Sequence, residues 1–170
     1  SFKFCDTGLQ PKSFESINVN VTSGSFSLCI GVLYRPQSKS TKCAFSIFID
    51  ELSVLVDYYL LKPTPILLTG DFNVHVDNPT NTTTVPFLET LTASGLEQHV
   101  TTSTHNKGHT LDLLITRSSD PSVFSNLDVI DGISDHFAVI CNLSLNRPPV
   151  ITKSITTRNW KSINTETLSG

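Results

Sequence analysis

Between residues 15 and 21 the apolar positions Ile17, Val19 and Val21 alternate with Ser16, Asn18 and Asn20. A period of two predicts a strand with one buried face. Ser23-Gly24 marks a turn, and residues 26–34 are more continuously apolar until Arg35-Pro36 stops them, so the two runs predict an antiparallel pair. From Phe45 the pattern changes. Phe45, Phe48, Ile49, Leu52, Leu55, Val56 and Tyr59 follow the i, i+3, i+4, i+7 spacing of an amphipathic helix, which Pro63 and Pro65 end. Residues 66–69 form a short apolar run, predicted as a buried strand, that leads into Gly70-Asp71-Phe72-Asn73. After a polar stretch at 78–84, a second helix is predicted over about 85–94, with Gly95 at the position that often needs a left-handed residue. Residues 111–116 and 137–145 predict two more strands, the second with Val139, Cys141, Leu143 and Leu145 in phase. Beyond Arg147-Pro148-Pro149 the periodicity disappears. This order predicts an α+β domain over residues 1–145, two packed sheets flanked by helices, followed by a linker or arm at 146–170.

Composition narrows the class. At 170 residues and a mean hydropathy of +0.02, one core is expected, without help from disulfides or a structural metal. Apolar runs such as 66–68 are far too short to span a bilayer, so no membrane helix is expected. Cys5, Cys29, Cys43 and Cys141 are widely spaced and read as reduced, buried thiols. The charge is uneven: residues 1–145 carry 8 basic and 14 acidic side chains, residues 146–170 carry 4 basic and 1 acidic. The arm is therefore cationic.

Three short motifs could carry chemistry. In Gly70-Asp71-Phe72-Asn73 the carboxylate and the carboxamide are two residues apart after a buried strand, so both can face one side of the extended chain. Gly70 allows close backbone approach there, although the same residues also suit an ordinary turn. Ser134-Asp135-His136 precedes the last strand, where a carboxylate could meet a hard cation and an imidazole a phosphate oxygen. A surface pair or cap is the alternative. Asp112 lies in the apolar run Leu111-Asp112-Leu113-Leu114-Ile115 and needs a partner; a histidine whose Nδ1 proton it accepts would suit, as would backbone N–H groups. His105 and His109 have an H-x3-H spacing, but no further Cys or His pair completes four ligands, so a zinc site is not expected. His75 and His99 are expected at the surface.

In their order, GDFN, LDLLIT and SDH resemble the endonuclease/exonuclease/phosphatase superfamily. The wording VLYRPQ, PILLTGDFNVHVDN, GLEQHVTTSTHNKGHTLDLLITR and GISDHFAVICNLSL is most similar to the endonuclease domain that opens the second open reading frame of LINE-type, non-LTR retrotransposons. The likeness runs from about residue 14 to 145. It implies a four-layer α/β sandwich of two mostly antiparallel sheets flanked by helices. It also implies roles: Asp71 orients or deprotonates the attacking water, Asn73 positions water or phosphate, Asp135 with help from Asp71 binds a divalent metal, His136 contacts the scissile phosphate, Asp112 orients His136, and the Tyr34 hydroxyl lies near the phosphate. The cofactor implied is Mg²⁺ or Mn²⁺, and the substrate is DNA. Arg35, Lys39, Lys42, Lys107 and Arg117 are candidate phosphate contacts.

The family pattern begins with an Asn and a metal-binding Glu that this sequence does not show, and the sequence contains no Met. The expectation is the C-terminal two-thirds of a nuclease domain, incomplete at its N-terminus, with activity reduced and part of the apolar face of residues 26–33 uncovered. A reverse transcriptase domain in the same parent polypeptide and a nuclear location are what the resemblance further implies. A non-catalytic remnant of the same fold and a phosphomonoesterase of the superfamily remain as alternatives.

Overall fold

The computed structural model describes residues 1–37, 42–120, 123–132 and 134–144, with residues 42–44 described by their backbone only. Its elements follow in the order β1 (Phe2–Phe4), β2 (Glu15–Ser23), β3 (Phe26–Tyr34), α1 (Lys42–Leu60), β4 (Ile66–Asp71), α2 (Thr84–Ala93), β5 (Leu96–Gln98), β6 (Asp112–Arg117), β7 (Phe124–Ile130) and β8 (Ala138–Leu143). Six strands form one sheet in the order β1-β2-β3-β4-β6-β5; β7 and β8 form a second. All neighbours are antiparallel except β3 and β4, which α1 connects as a crossover. Lys39 and the arm at 146–170 lie outside the described residues, as do the side chains of Lys42 and Cys43.

Alternation within the central strands builds two cores back to back. Cys29, Leu33, Ile66, Leu68, Leu113 and Ile115 face α1 and α2, where the helical stripe Phe48, Leu52, Leu55, Val56 and Tyr59 meets Phe87 and Leu91. Leu28, Leu67 and Leu114 face the other way and pack with Val139, Cys141 and Leu143 of β8. The result among the described residues is helices on one face of the large sheet and the small sheet on the other. That is the mixed α+β architecture expected, with three of the four layers present. The small sheet does not cover all of its side. Ile17 and Val32, opposite one another in the β2–β3 register, remain 58% and 43% exposed, and Phe2 and Phe4 of the edge strand lie on the same face.

Local sequence explains the punctuation. Gly95 has φ +65 just beyond α2, the left-handed conformation that closes a helix. Gly70 has φ +129 opposite Leu33, and a Cβ there would overlap the Leu33 carbonyl oxygen. Only glycine lets β4 reach Asp71 in register with β3. Of the cysteines, Cys29 is buried, whereas Cys5 and Cys141 are half-buried, so full burial holds for one of the three described; all three are free thiols. No helix among the described residues is long and apolar enough to cross a membrane.

Candidate active site

The strand register decides which polar groups meet. Tyr34 pairs with Asp71 across β3 and β4, and Asp71 pairs with Asp112 across β4 and β6, so the three stand in one row on one face at one end of the sheet. Adjacent strands are about 4.8 Å apart, which sets Tyr34 beside Asp71 and two strands from Asp112. The face is the one that packs against the small sheet, since Leu67 and Thr69 precede Asp71 on the same side. The site therefore opens at the rim between the two sheets.

His136 enters that rim from the segment before β8. The segment is tied down by backbone bonds from Phe137 N to Thr104 O (2.8 Å) and from Asn106 N to Asp135 O (2.9 Å). Nδ1 of His136 lies 2.8 Å from Asp112 Oδ2, within the hydrogen-bond distance that the acid in an apolar strand predicts. Thr104 Oγ1, fully buried, accepts the N–H groups of Leu111 and Asp112 and so fixes where the carboxylate starts. Burial pushes the His136 imidazole down, but the Asp112 hydrogen bond and the charges of Asp112, Asp71 and Asp135 outweigh it, and the net effect raises its pKa. The protonated ring is favoured.

Asp71 and Asn73 form a closed local unit. Asn73 donates its backbone N–H to Asp71 Oδ1 (2.9 Å) and its side-chain amide to Asp71 Oδ2 (3.0 Å) and to Arg35 O (2.6 Å). Its φ of +49 is a left-handed conformation that asparagine tolerates. With its amide N–H groups committed, Asn73 has its Oδ1 to offer a water. Burial raises the Asp71 carboxyl above the usual range, and the nearby Asp112 charge adds to this; the Asn73 hydrogen bonds and His136 only partly offset it.

Other predicted residues have different positions. Arg35 is half-buried, its guanidinium donating to the carbonyls of Phe72 (3.3 Å) and Asn73 (3.0 Å) and lying over the rings of Phe45 and Phe48. It braces the loop that carries Asn73, a use that the expectation of a phosphate contact did not foresee. Arg117 ends β6, at the opposite end from Asp112, and bonds Asp120 (3.0 Å) and the carbonyls of Tyr59 and Lys62. It is not brought to the site. Lys107 is exposed, and its backbone N–H donates to Nδ1 of His105.

Two histidine clusters escaped the sequence reading. His105 is buried against His136, ring centroids 4.9 Å apart, with its Nε2 3.5 Å from Asp135. Three groups among the described residues could hold a metal ion: Asp71, Asp112 and His136; His105, Asp135 and His136; and His75, Asp77 and His109. Asp71 and Asp135 thus fall in different groups, joined through His136. The H-x3-H spacing was the available signal, but His105 and His109 point to separate clusters. His99 is half-buried and within 2.7 Å of Thr116 Oγ1.

A family model described as endonuclease-reverse transcriptase matches residues 28–140. The chain belongs to this family. No curated protein matches it. Among solved structures, this endonuclease-reverse transcriptase family chain is similar to the endonuclease domain of TRAS1, a telomere-specific non-LTR retrotransposon, with TM-score 0.61 and 14% identity over 76% of this chain and 62% of that one. It is also similar to D. rerio TDP2 complexed with a single-strand DNA product (TM-score 0.56, 11% identity, 83% and 66% coverage). The human Nocturnin catalytic domain gives TM-score 0.57 at 18% identity, with 85% and 60% coverage. This chain spans less than two thirds of the length of each of these chains. The shared fold is that of the endonuclease/exonuclease/phosphatase superfamily.

Proposed function

We propose that this chain carries the catalytic rim of a metal-assisted DNA-nicking endonuclease of the non-LTR retrotransposon type. The observation that carries the reading is the Asp112–His136 pair, 2.8 Å apart, facing Asp71 and Asn73 across the same end of the sheet. Asp71, raised by burial, takes a proton from a water that the side-chain Oδ1 of Asn73 orients. Asp112 holds Nδ1 of His136, so Nε2 is the nitrogen that meets a phosphoryl oxygen, and the upward shift that Asp112 gives the imidazole favours the cationic ring there. The water oxygen bonds to phosphorus as the P–O3′ bond breaks, and the leaving 3′ oxygen takes a proton from solvent while Asp71 releases its own to solvent. Tyr34, in the same strand row as Asp71, flanks the phosphate.

The donor set fits a hard divalent cation. Asp71 and Asp112 are like-charged carboxylates on adjacent strands, and the repulsion that helps raise Asp71 is what a cation relieves. Asp135, with a 63% exposed side chain, can add an oxygen from the neighbouring group. Mg²⁺ or Mn²⁺ held there would keep several waters and would neutralise charge growing on the phosphoryl oxygens. Lys107, exposed next to His105, is a proposed phosphate contact, and Lys39 and Lys42 are proposed from the sequence alone.

The test is nicking of supercoiled plasmid in Mg²⁺ and in Mn²⁺, beside hydrolysis of an aromatic phosphomonoester. Nicking that is lost on His136→Ala supports the reading. Monoester hydrolysis without nicking assigns the site to the phosphomonoesterase alternative, and inertness toward both, in the parent polypeptide as well as in this chain, assigns a non-catalytic role.

A further inference from the structure

We propose that His75, Asp77 and His109 form a second metal site, for a borderline transition-metal cation such as Zn²⁺, that clips the loop after β4 to the loop before β6. Nothing in the endonuclease reading requires it, and its test does not depend on that reading. Ligand atoms of the three side chains all lie within 4.8 Å of one another. Nδ1 of His109 is 3.2 Å from Asp77 Oδ2, and the rings of His75 and His109 meet edge to face with centroids 4.2 Å apart. Two imidazoles and one carboxylate are the donors that suit Zn²⁺ rather than Mg²⁺, and three protein ligands plus water complete a tetrahedral shell. At a bond length of about 2.0–2.1 Å, tetrahedral donors stand roughly 3.4 Å apart. The His109–Asp77 pair already meets that spacing at 3.2 Å, and with all three donors within 4.8 Å of one another the third needs to approach by at most about 1.4 Å.

The surroundings hold the donors in place. Thr110 N donates to Asp77 Oδ1 at 2.9 Å, leaving Oδ2 directed at His109. Thr84 Oγ1 donates to the carbonyl of His75 at 2.8 Å, and Asn78 N to the same carbonyl at 2.9 Å, so the turn from His75 to Asp77 is fixed from both sides. Asp77 and His109 side chains are 27% and 38% exposed, which gives an ion a path in. His75 follows Asn73 by two residues and His109 precedes Asp112 by three. An ion here would therefore join the two loops that lead to the catalytic row without touching that row.

The experiment is isothermal titration of the chelator-stripped full chain with ZnCl₂ in excess Mg²⁺, together with ring ¹⁵N shifts of its histidines. One equivalent of Zn²⁺ should bind, and the His75 and His109 ring signals should move while His99 stays. Affinity should fall at least about tenfold in His75→Ala, Asp77→Asn and His109→Ala, and be unchanged in His99→Ala. Absence of Zn²⁺ binding, or binding that moves His105 and His136 instead of His75 and His109, overturns the proposal. The ring shifts are read on the unaltered chain, so a variant that fails to fold does not decide the matter.

Discussion

Replacing Asp112 with Asn, His136 with Gln, and both together isolates the pair at the centre of the proposed mechanism. The bond is 2.8 Å long, and the side chains are 21% and 32% exposed, so it is neither a surface ion pair nor a dry one. A hydrogen bond to a charged group contributes about 1.5–3 kcal/mol when shielded, and exposed pairs contribute about 0.2–1 kcal/mol. With a fifth to a third of each side chain in solvent, a coupling of about 1–2 kcal/mol is expected when the imidazole is protonated. Its pH dependence has a definite sign. The folded-state pKa of His136 is raised, so the stabilisation is fully present below the unfolded value, near 6.5, and is lost as pH rises through the raised folded value. Urea unfolding of the four proteins at pH 5.5 and again at pH 9 measures the coupling as a double-mutant cycle. A coupling near zero at pH 5.5, or one that is the same at both pH values, would refute the assignment of a charged, Asp-oriented histidine. The catalytic side is read separately: Asp112→Asn should slow nicking while leaving DNA binding largely unchanged.

Gly70→Ala should destabilise the fold by more than about 2 kcal/mol in urea, because a left-handed φ and a clash with the Leu33 carbonyl act together. A cost under 0.5 kcal/mol would show that β4 can reach Asp71 by another route. Arg117→Ala should cost about 3 kcal/mol in stability, since it leaves the well-buried Asp120 carboxylate without its cation, while DNA affinity of the folded fraction stays the same. A changed salt dependence of DNA binding would contradict the structural use of Arg117. Glu51 on α1 accepts the N–H groups of Lys12 and Ser13 and the Ser13 hydroxyl; burial pushes its carboxyl up, but these bonds and Lys12 outweigh it and hold it below the usual range. Its stabilisation is present above about pH 4.3 and is lost as pH falls through the lower folded value, so Glu51→Gln should lose about 1 kcal/mol at pH 7 and converge with the unaltered protein toward pH 2.

Local pattern alone determined the elements whose own residues suffice to specify them. Alternation at 15–23 and continuous apolarity at 26–34 marked β2 and β3, and the helical stripe from Phe45 to Tyr59 marked α1, because each period matches the face that must be buried. The need for glycine at 70 and the need of Asp112 for a partner were legible for the same reason, since a close backbone approach and a carboxylate in an apolar run are local conflicts with few solutions. β1, β5 and β7 were not legible. Two are three residues long, and β7 has an irregular register around Ser125 and Asp128, so they exist as strands only because a neighbouring edge completes their hydrogen bonds. The site divides in the same way. Its residue types were readable from GDFN, LDLLIT and SDH, but the row Tyr34, Asp71, Asp112 depends on registers between strands far apart in the chain. The duties of the basic and histidine side chains were likewise settled by what the fold set beside them. Arg35 fell beside the carbonyls of the Asn73 loop, Arg117 beside Asp120, His105 beside His136, and His109 beside His75 and Asp77. A long polar side chain bonds to whichever acceptors surround it, and those neighbours are a property of tertiary packing that no single stretch of sequence encodes.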